Sequence, residues 1–99
     1  MEWSFLTNHA RVLLYVSGDS ESRLRDIAES VGITERATHR IVSDLVDTGY
    51  LSRRRVGRRN AYELKPKLPV PGALNRDREI GDVLAMLAPE ASKVSRQTS

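Results

Sequence analysis

Ile33-Thr34-Glu35-Arg36-Ala37-Thr38-His39-Arg40-Ile41-Val42-Ser43-Asp44-Leu45-Val46-Asp47-Thr48-Gly49-Tyr50-Leu51 carries both a start and a stop for a single helix. Thr34 is a suitable N-cap, because its hydroxyl can accept from an orphan backbone N–H of the first turn. Gly49 suits the far end, where a left-handed residue closes a helix. Between them Ala37, Ile41, Val42 and Leu45 recur at helical spacing and predict one buried stripe. Glu35, Arg36, His39, Arg40 and Ser43 lie on the opposite face, mostly three or four residues apart. An amphipathic helix with a solvated side would account for this segment alone. The same polar face also suits phosphates and base edges in a DNA major groove.

The segments on either side decide between these readings. Upstream, Thr7 or Asn8 caps a helix running to about Ser17, with Val12, Leu13, Val16 and Tyr15 turned inward and Gly18 ending it. Asp19-Ser20-Glu21-Ser22 is a polar turn. Arg23-Leu24-Arg25 is predicted as a very short strand, and a helix follows from about Asp26 to Val31, burying Ile27, Ala28 and Val31. Gly32 ends it, so only a short glycine-containing join separates it from the Thr34 helix. Two helices joined in this way form a helix-turn-helix, whose second helix enters the major groove.

Downstream of Gly49 the period changes. Tyr50 to Val56 is predicted as a strand, Gly57-Arg58-Arg59-Asn60 as a turn, and Ala61 to Lys65 as a returning strand ended by Pro66. Leu51 and Val56 have opposite parity, which predicts a bulge or a frayed tip. Arg53, Arg54, Arg55, Arg58 and Arg59 crowd this hairpin, more than an edge strand needs to stay soluble.

Charge follows the same division. Residues 1–52 hold five Lys/Arg against eight Asp/Glu, a net −3, whereas residues 53–67 hold seven against one, a net +6. Residues 68–99 hold four of each, so the whole excess behind the chain's +3 sits in the hairpin region. Concentrated positive charge points to a polyanionic partner.

Helix, short strand, helix-turn-helix and basic hairpin together resemble the winged helix-turn-helix domain of bacterial and archaeal transcription regulators, most nearly the MarR and ArsR types. The resemblance rests on residues 24–54, L-R-D-I-A-E-S-V-G-I-T-E-R-A-T-H-R-I-V-S-D-L-V-D-T-G-Y-L-S-R-R, with R-V-G-R-R-N-A-Y-E-L as the wing. It implies an α+β, mainly α fold: a three-helix core and a hairpin wing over residues 1–66. It also implies a regulator that binds specific double-stranded DNA as a homodimer, with Thr34, Glu35, Arg36, His39, Arg40 and Ser43 facing DNA from the helix. Arg54, Arg55, Arg58, Arg59 and Asn60 would face it from the wing. Thr38 departs from the pattern, standing where the family usually places an apolar core residue.

The remaining chain holds a connector, Lys67 to Gly72, and a helix from about Arg76 to Ala88 capped by Asn75 and stopped by Pro89. Ile80, Val83, Leu84 and Leu87 form its apolar stripe. It packs on the first helix or pairs with its own copy, and the resemblance favours the copy. Trp3 and Phe5 would cover a core edge or assist that interface. Residues 67–88 are thus expected to be linker and dimerisation helix, and residues 89–99, which lack periodicity, a disordered tail.

Several function classes are disfavoured. Without cysteine there are no disulfides, thiol nucleophiles or thiolate metal sites. The two histidines sit on separate elements, and no glycine-rich phosphate loop or metal-ligand cluster is evident. An enzyme is therefore not expected, nor any cofactor or metal. No apolar run approaches the length of a membrane span, and Met1-Glu2-Trp3 lacks the basic opening of a secretory signal, so a cytoplasmic protein is expected. The competing reading is a winged-helix module that binds protein or RNA in a larger assembly. No small-molecule effector is legible.

Overall fold

The structure is a computed structural model that describes residues 4–71, 74 and 78–87. Trp3, the proposed cap Asn75, Arg76, and residues 88–99 with their expected tail lie outside the described residues.

Helix α1 spans Asn8–Gly18, and Thr7 is its cap, its Oγ1 accepting from the Ala10 amide at 3.1 Å. Val12, Leu13 and Val16 are buried, and Tyr15 is half-buried. Helix α2 spans Leu24–Val31. The short strand expected at Arg23–Arg25 is not formed: Leu24 and Arg25 are helical, and Arg23 is the N-cap without a side-chain capping bond. The physical reason is the apolar period, since Leu24 is the first member of the i, i+3, i+4, i+7 series completed by Ile27, Ala28 and Val31. The α1–α2 turn nevertheless supports the sheet, because the Ser20 carbonyl accepts from the Tyr62 amide at 2.8 Å.

Gly32, at φ 85°, makes the turn of the helix-turn-helix, and the Ile33 amide returns to the Ala28 carbonyl at 3.0 Å. Helix α3 then spans Glu35–Asp47, with Thr34 Oγ1 accepting from the Ala37 amide at 3.0 Å. Its end is a Schellman motif around Gly49 at φ 90°: the Tyr50 amide reaches the Leu45 carbonyl at 2.9 Å and the Gly49 amide the Val46 carbonyl at 3.1 Å. Thr38, rather than Ala37, completes the buried stripe with Ile41, Val42 and Leu45. Thr38 is 0% exposed, and its hydroxyl donates to the Thr34 carbonyl at 2.9 Å, so the burial leaves no unmet polar group.

The wing is an antiparallel pair, β1 Leu51–Val56 and β2 Arg59–Leu64, in unbroken register from Leu51 opposite Leu64 to Val56 opposite Arg59. The loop is two residues, Gly57-Arg58. Gly57 has φ 63° and Arg58 a negative φ, which is a type II′ turn. Arg59 and Asn60 therefore belong to the strand and not to the turn. No bulge is present because Val56 is exposed, leaving nothing for its parity to conflict with.

Helix α4 spans Ile80–Leu87, starting later than Arg76. Arg78 and Glu79 are extended instead, their backbone engaged with the preceding segment: Glu79 bridges Pro69, and the Ile80 amide donates to the Leu68 carbonyl at 2.7 Å. The Tyr50 hydroxyl donates to the Pro69 carbonyl at 2.7 Å, fastening the same segment to the end of α3. Ile80 and Leu84 join one hydrophobic core with Val12, Leu13, Val16, Ile27, Val31, Ile41, Val42, Leu45, Leu51 and Tyr62. Of the two arrangements open for the last helix, packing within the chain is the one these two residues adopt.

Of the described glycines, Gly81 alone has a neighbour where a Cβ would stand, and its amide donates to the Pro66 carbonyl at 2.9 Å. A Cβ there would meet the Pro66 Cβ at 2.6 Å and its carbonyl oxygen at 3.0 Å. Gly81→Ala should therefore destabilise the chain by about 1–3 kcal/mol, the usual range for overpacking. Urea unfolding measures it, and an unchanged midpoint would show that α4 is not held against Pro66.

Candidate nucleic-acid interface

Steps of three and four residues bring Arg36, His39, Arg40 and Ser43 onto one side of α3, because its stripe of Thr38, Ile41, Val42 and Leu45 is buried on the other. Arg36, His39 and Arg40 are exposed, and Ser43 is half-buried. Among the described residues neither Arg36 nor Arg40 has a hydrogen-bond or ion-pair partner. Guanidinium groups left open in this way can form two parallel bonds to the O6 and N7 of guanine. Glu35 is also exposed, in the first turn, where its charge favours the helix N-terminus. Thr34 is exposed, with its oxygen already committed to the cap.

The start of α1 borders this face. Asn8 and His9 line an open cleft of about 840 Å³ together with Thr34, Arg36, His39, Arg40 and Asp44. His9 Nε2 lies 2.8 Å from Asp44 Oδ2. Neither His9 nor Asp44 stood out in the sequence as a site residue. They are 35 positions apart, so no local spacing links them, and only the packing of α1 on α3 does.

The wing residues are not in that cleft, and they divide between two faces. Arg54 lies opposite Ala61, and Val56 opposite Arg59. Arg54 borders Ser17 and Ser20, and an Arg59 Nη2–H donates to the Glu21 carbonyl at 2.9 Å, whereas the other face carries the core residues Leu51 and Tyr62 beside Arg53 and Arg55. Arg59, in the pair that closes the wing tip, thus also ties the wing to the α1–α2 turn. Asn60 is half-buried opposite Arg55. Arg53, Arg55 and Arg58 are exposed, with Arg58 in the turn itself. Arg53, opposite the buried Tyr62, is as exposed as the others, although the spacing of the sequence did not single it out among the five arginines.

The sequence pattern of the IclR helix-turn-helix domain matches residues 6–55, from the start of α1 to the first wing strand. The chain belongs to the IclR helix-turn-helix domain family. It is thereby a member of a DNA-binding, helix-turn-helix family of transcription regulators. Solved structures agree on the fold. One is described as the "predicted DNA-binding transcriptional regulator from E. coli": 19% identical, TM-score 0.58, with 79% of this chain and 70% of that one covered. Another is the zinc-dependent MarR family regulator AdcR in its Zn(II)-bound state, 16% identical with TM-score 0.52, covering 99% of this chain and 73% of that one. At such identities they establish architecture only. No curated protein matches in sequence. The winged helix-turn-helix expected from the residues is thus the fold found. The family that matches in sequence is the IclR one, with a MarR-type protein among the structural neighbours.

The two basic parts of this IclR-type domain should fail differently. Arg40→Ala should cost about 1–3 kcal/mol on a preferred duplex and relax preference at one base pair, as loss of a bidentate base contact does. Arg58→Ala should weaken all sequences alike and lower the salt slope by about one. Selection of bound DNA from random pools reads both. An unchanged preference for Arg40→Ala with an altered one for Arg58→Ala would reverse the roles.

Proposed function

We propose that this chain is a sequence-specific double-stranded DNA-binding regulator of transcription that acts as a homodimer. The observation carrying the first half is the exposed face of α3, capped at both ends, with Arg36 and Arg40 unpaired among the described residues. The helix reads bases in the major groove, and the arginines of the wing hold phosphates or a narrow minor groove. Thr34, Glu35, His39 and Ser43 flank the two reading arginines. Arg54, Arg55 and Asn60 support the wing contacts beside Arg58.

The dimer reading rests on the apolar surface left after α4 has packed. Ile80 and Leu84 are spent within the chain, but Leu87 is 43% exposed, Met86 77% and Phe5 90%. Val83, Leu87, Leu6 and Ala10 border an apolar groove of about 390 Å³ between the N-terminal segment and α4. A second copy covering this surface would remove a sticky patch from water. Two-fold symmetry then sets two α3 helices about 34 Å apart on a near-palindrome.

Two measurements test these halves separately. Binding to duplex DNA should fall with salt by about 0.9 log units per phosphate contacted, so roughly three contacts per subunit give a dimer slope near −5. Binding that ignores salt, or none at low salt, would remove the DNA reading in favour of a protein- or RNA-binding module.

For the dimer, truncation before α4 is unsuitable because it would strip Ile80 and Leu84 from the core. Leu87→Glu is suitable, since it places a charge on the exposed end of the stripe. Sedimentation should show a dimer for the parent chain and a monomer for the variant. An unchanged dimer would put the interface elsewhere.

A further inference from the structure

Asp44 follows Arg40 by four residues on α3, the spacing at which opposite charges on one helix face meet. The structure does not pair them. Asp44 Oδ2 instead takes His9 Nε2 at 2.8 Å, from the first turns of α1, and Arg40 has no ion-pair partner among the described residues. An ionised carboxylate only accepts hydrogen bonds, so Nε2 is the nitrogen carrying the proton in this contact. Both side chains are about half exposed, at 50% and 52%, and both line the cleft that also holds Arg36, His39 and Arg40. The contact is therefore part of the wall of the DNA-facing cleft.

We infer that His9 is a positioning residue of the DNA interface: by holding Asp44, it keeps that carboxylate off Arg40 and leaves the guanidinium free for DNA. The inference rests on the DNA-reading function proposed above. Two consequences of losing His9 act in the same direction. Asp44 becomes available to Arg40 as an intrahelical partner that competes with a base edge. Its charge also faces the incoming phosphates without a hydrogen-bond donor on it, and like charges brought together oppose binding. A simple strut between α1 and α3 would share the geometry but not these effects, because a strut acts through stability and not through the Asp44 charge.

The distinguishing experiment is a set of DNA-binding titrations on the full chain: parent, His9→Ala, Asp44→Asn and the double variant, using the duplex selected by the parent. Alanine at a half-exposed helical position is well tolerated, so thermal unfolding of His9→Ala should stay close to the parent. Its affinity should nevertheless fall by about two- to fivefold, the range open to an exposed ion pair. Adding Asp44→Asn should restore the loss, since the competing carboxylate is then gone. Asp44→Asn alone should bind at least as tightly as the parent, and this arm stands even if His9→Ala does not fold. An unchanged affinity for His9→Ala, a loss that Asp44→Asn does not repair, or weaker binding by Asp44→Asn alone would overturn the inference. Failure of the parent to bind any duplex at low salt would instead sink the DNA reading on which it depends.

Discussion

Burial of one side of α3 is the constraint on which the other elements depend. Ile41, Val42 and Leu45 share a single core with Val12 and Val16 of α1, Ile27 and Val31 of α2, and Leu51 of β1. Removing this stripe from water is the dominant favourable contribution a domain of this size can make. It also settles orientation, because a helix with one face fixed in a core has no choice about the other. The exposed guanidinium groups of Arg36 and Arg40 are thus placed by apolar residues that never approach a ligand. Thr38 shows how tightly the stripe is specified. A hydroxyl sits at its first position and is accommodated because it donates a hydrogen bond to the Thr34 carbonyl one turn back.

The rest of the chain braces that helix at both ends. Thr34 and Gly49 close it in hydrogen bonds, and Gly49 delivers the chain into β1 at a defined angle. The wing is held on its other edge by Ser20 and Glu21, whose carbonyls receive the Tyr62 amide and the Arg59 guanidinium. Two segments distant in sequence are thereby tied to the same turn. The segment 66–70 then crosses to meet residues 78–81, anchored by Tyr50, and brings α4 onto α1 and the core. Among the described residues no helix is long and apolar enough to cross a membrane, and α4 is a short amphipathic helix whose apolar side is only partly spent in the fold.

Charge is arranged by the same scaffold. The wing's arginines look alike in sequence, but strand register gives them different work. Arg54 and Arg59 share one face, with Arg59 bonded to the Glu21 carbonyl, while Arg53 and Arg55 share the face of Leu51 and Tyr62 and Arg58 occupies the turn. One-residue alternation in a strand is enough to send neighbouring arginines to opposite faces. On α3 the 3.6-residue period sets Arg36, Arg40 and Asp44 in one row, and the contact with His9 engages Asp44 with α1.

Much of this was legible in the residues because it rests on local rules. Capping by Thr34, closure at Gly49, the periodic apolar positions of α1 and α3, and a hairpin punctuated by Gly57 each depend on neighbours within a few positions. The misplaced features fail for equally physical reasons. Leu24 was separated from its helical series by two flanking arginines that resembled a strand. The start of α4 was set too early because Arg78 and Glu79 bond across to residues 68–70, which no local pattern announces. By itself, then, the sequence determined the helix-turn-helix, the identity of its outward face and the concentration of positive charge in the wing. Only the tertiary structure decided that Ile80 and Leu84 fill this chain's own core, that Gly81 must lack a side chain, that Arg59 is an anchor and that His9 meets Asp44. Each of those outcomes joins groups far apart in the chain, and the free energy that joins them exists only once the core has formed.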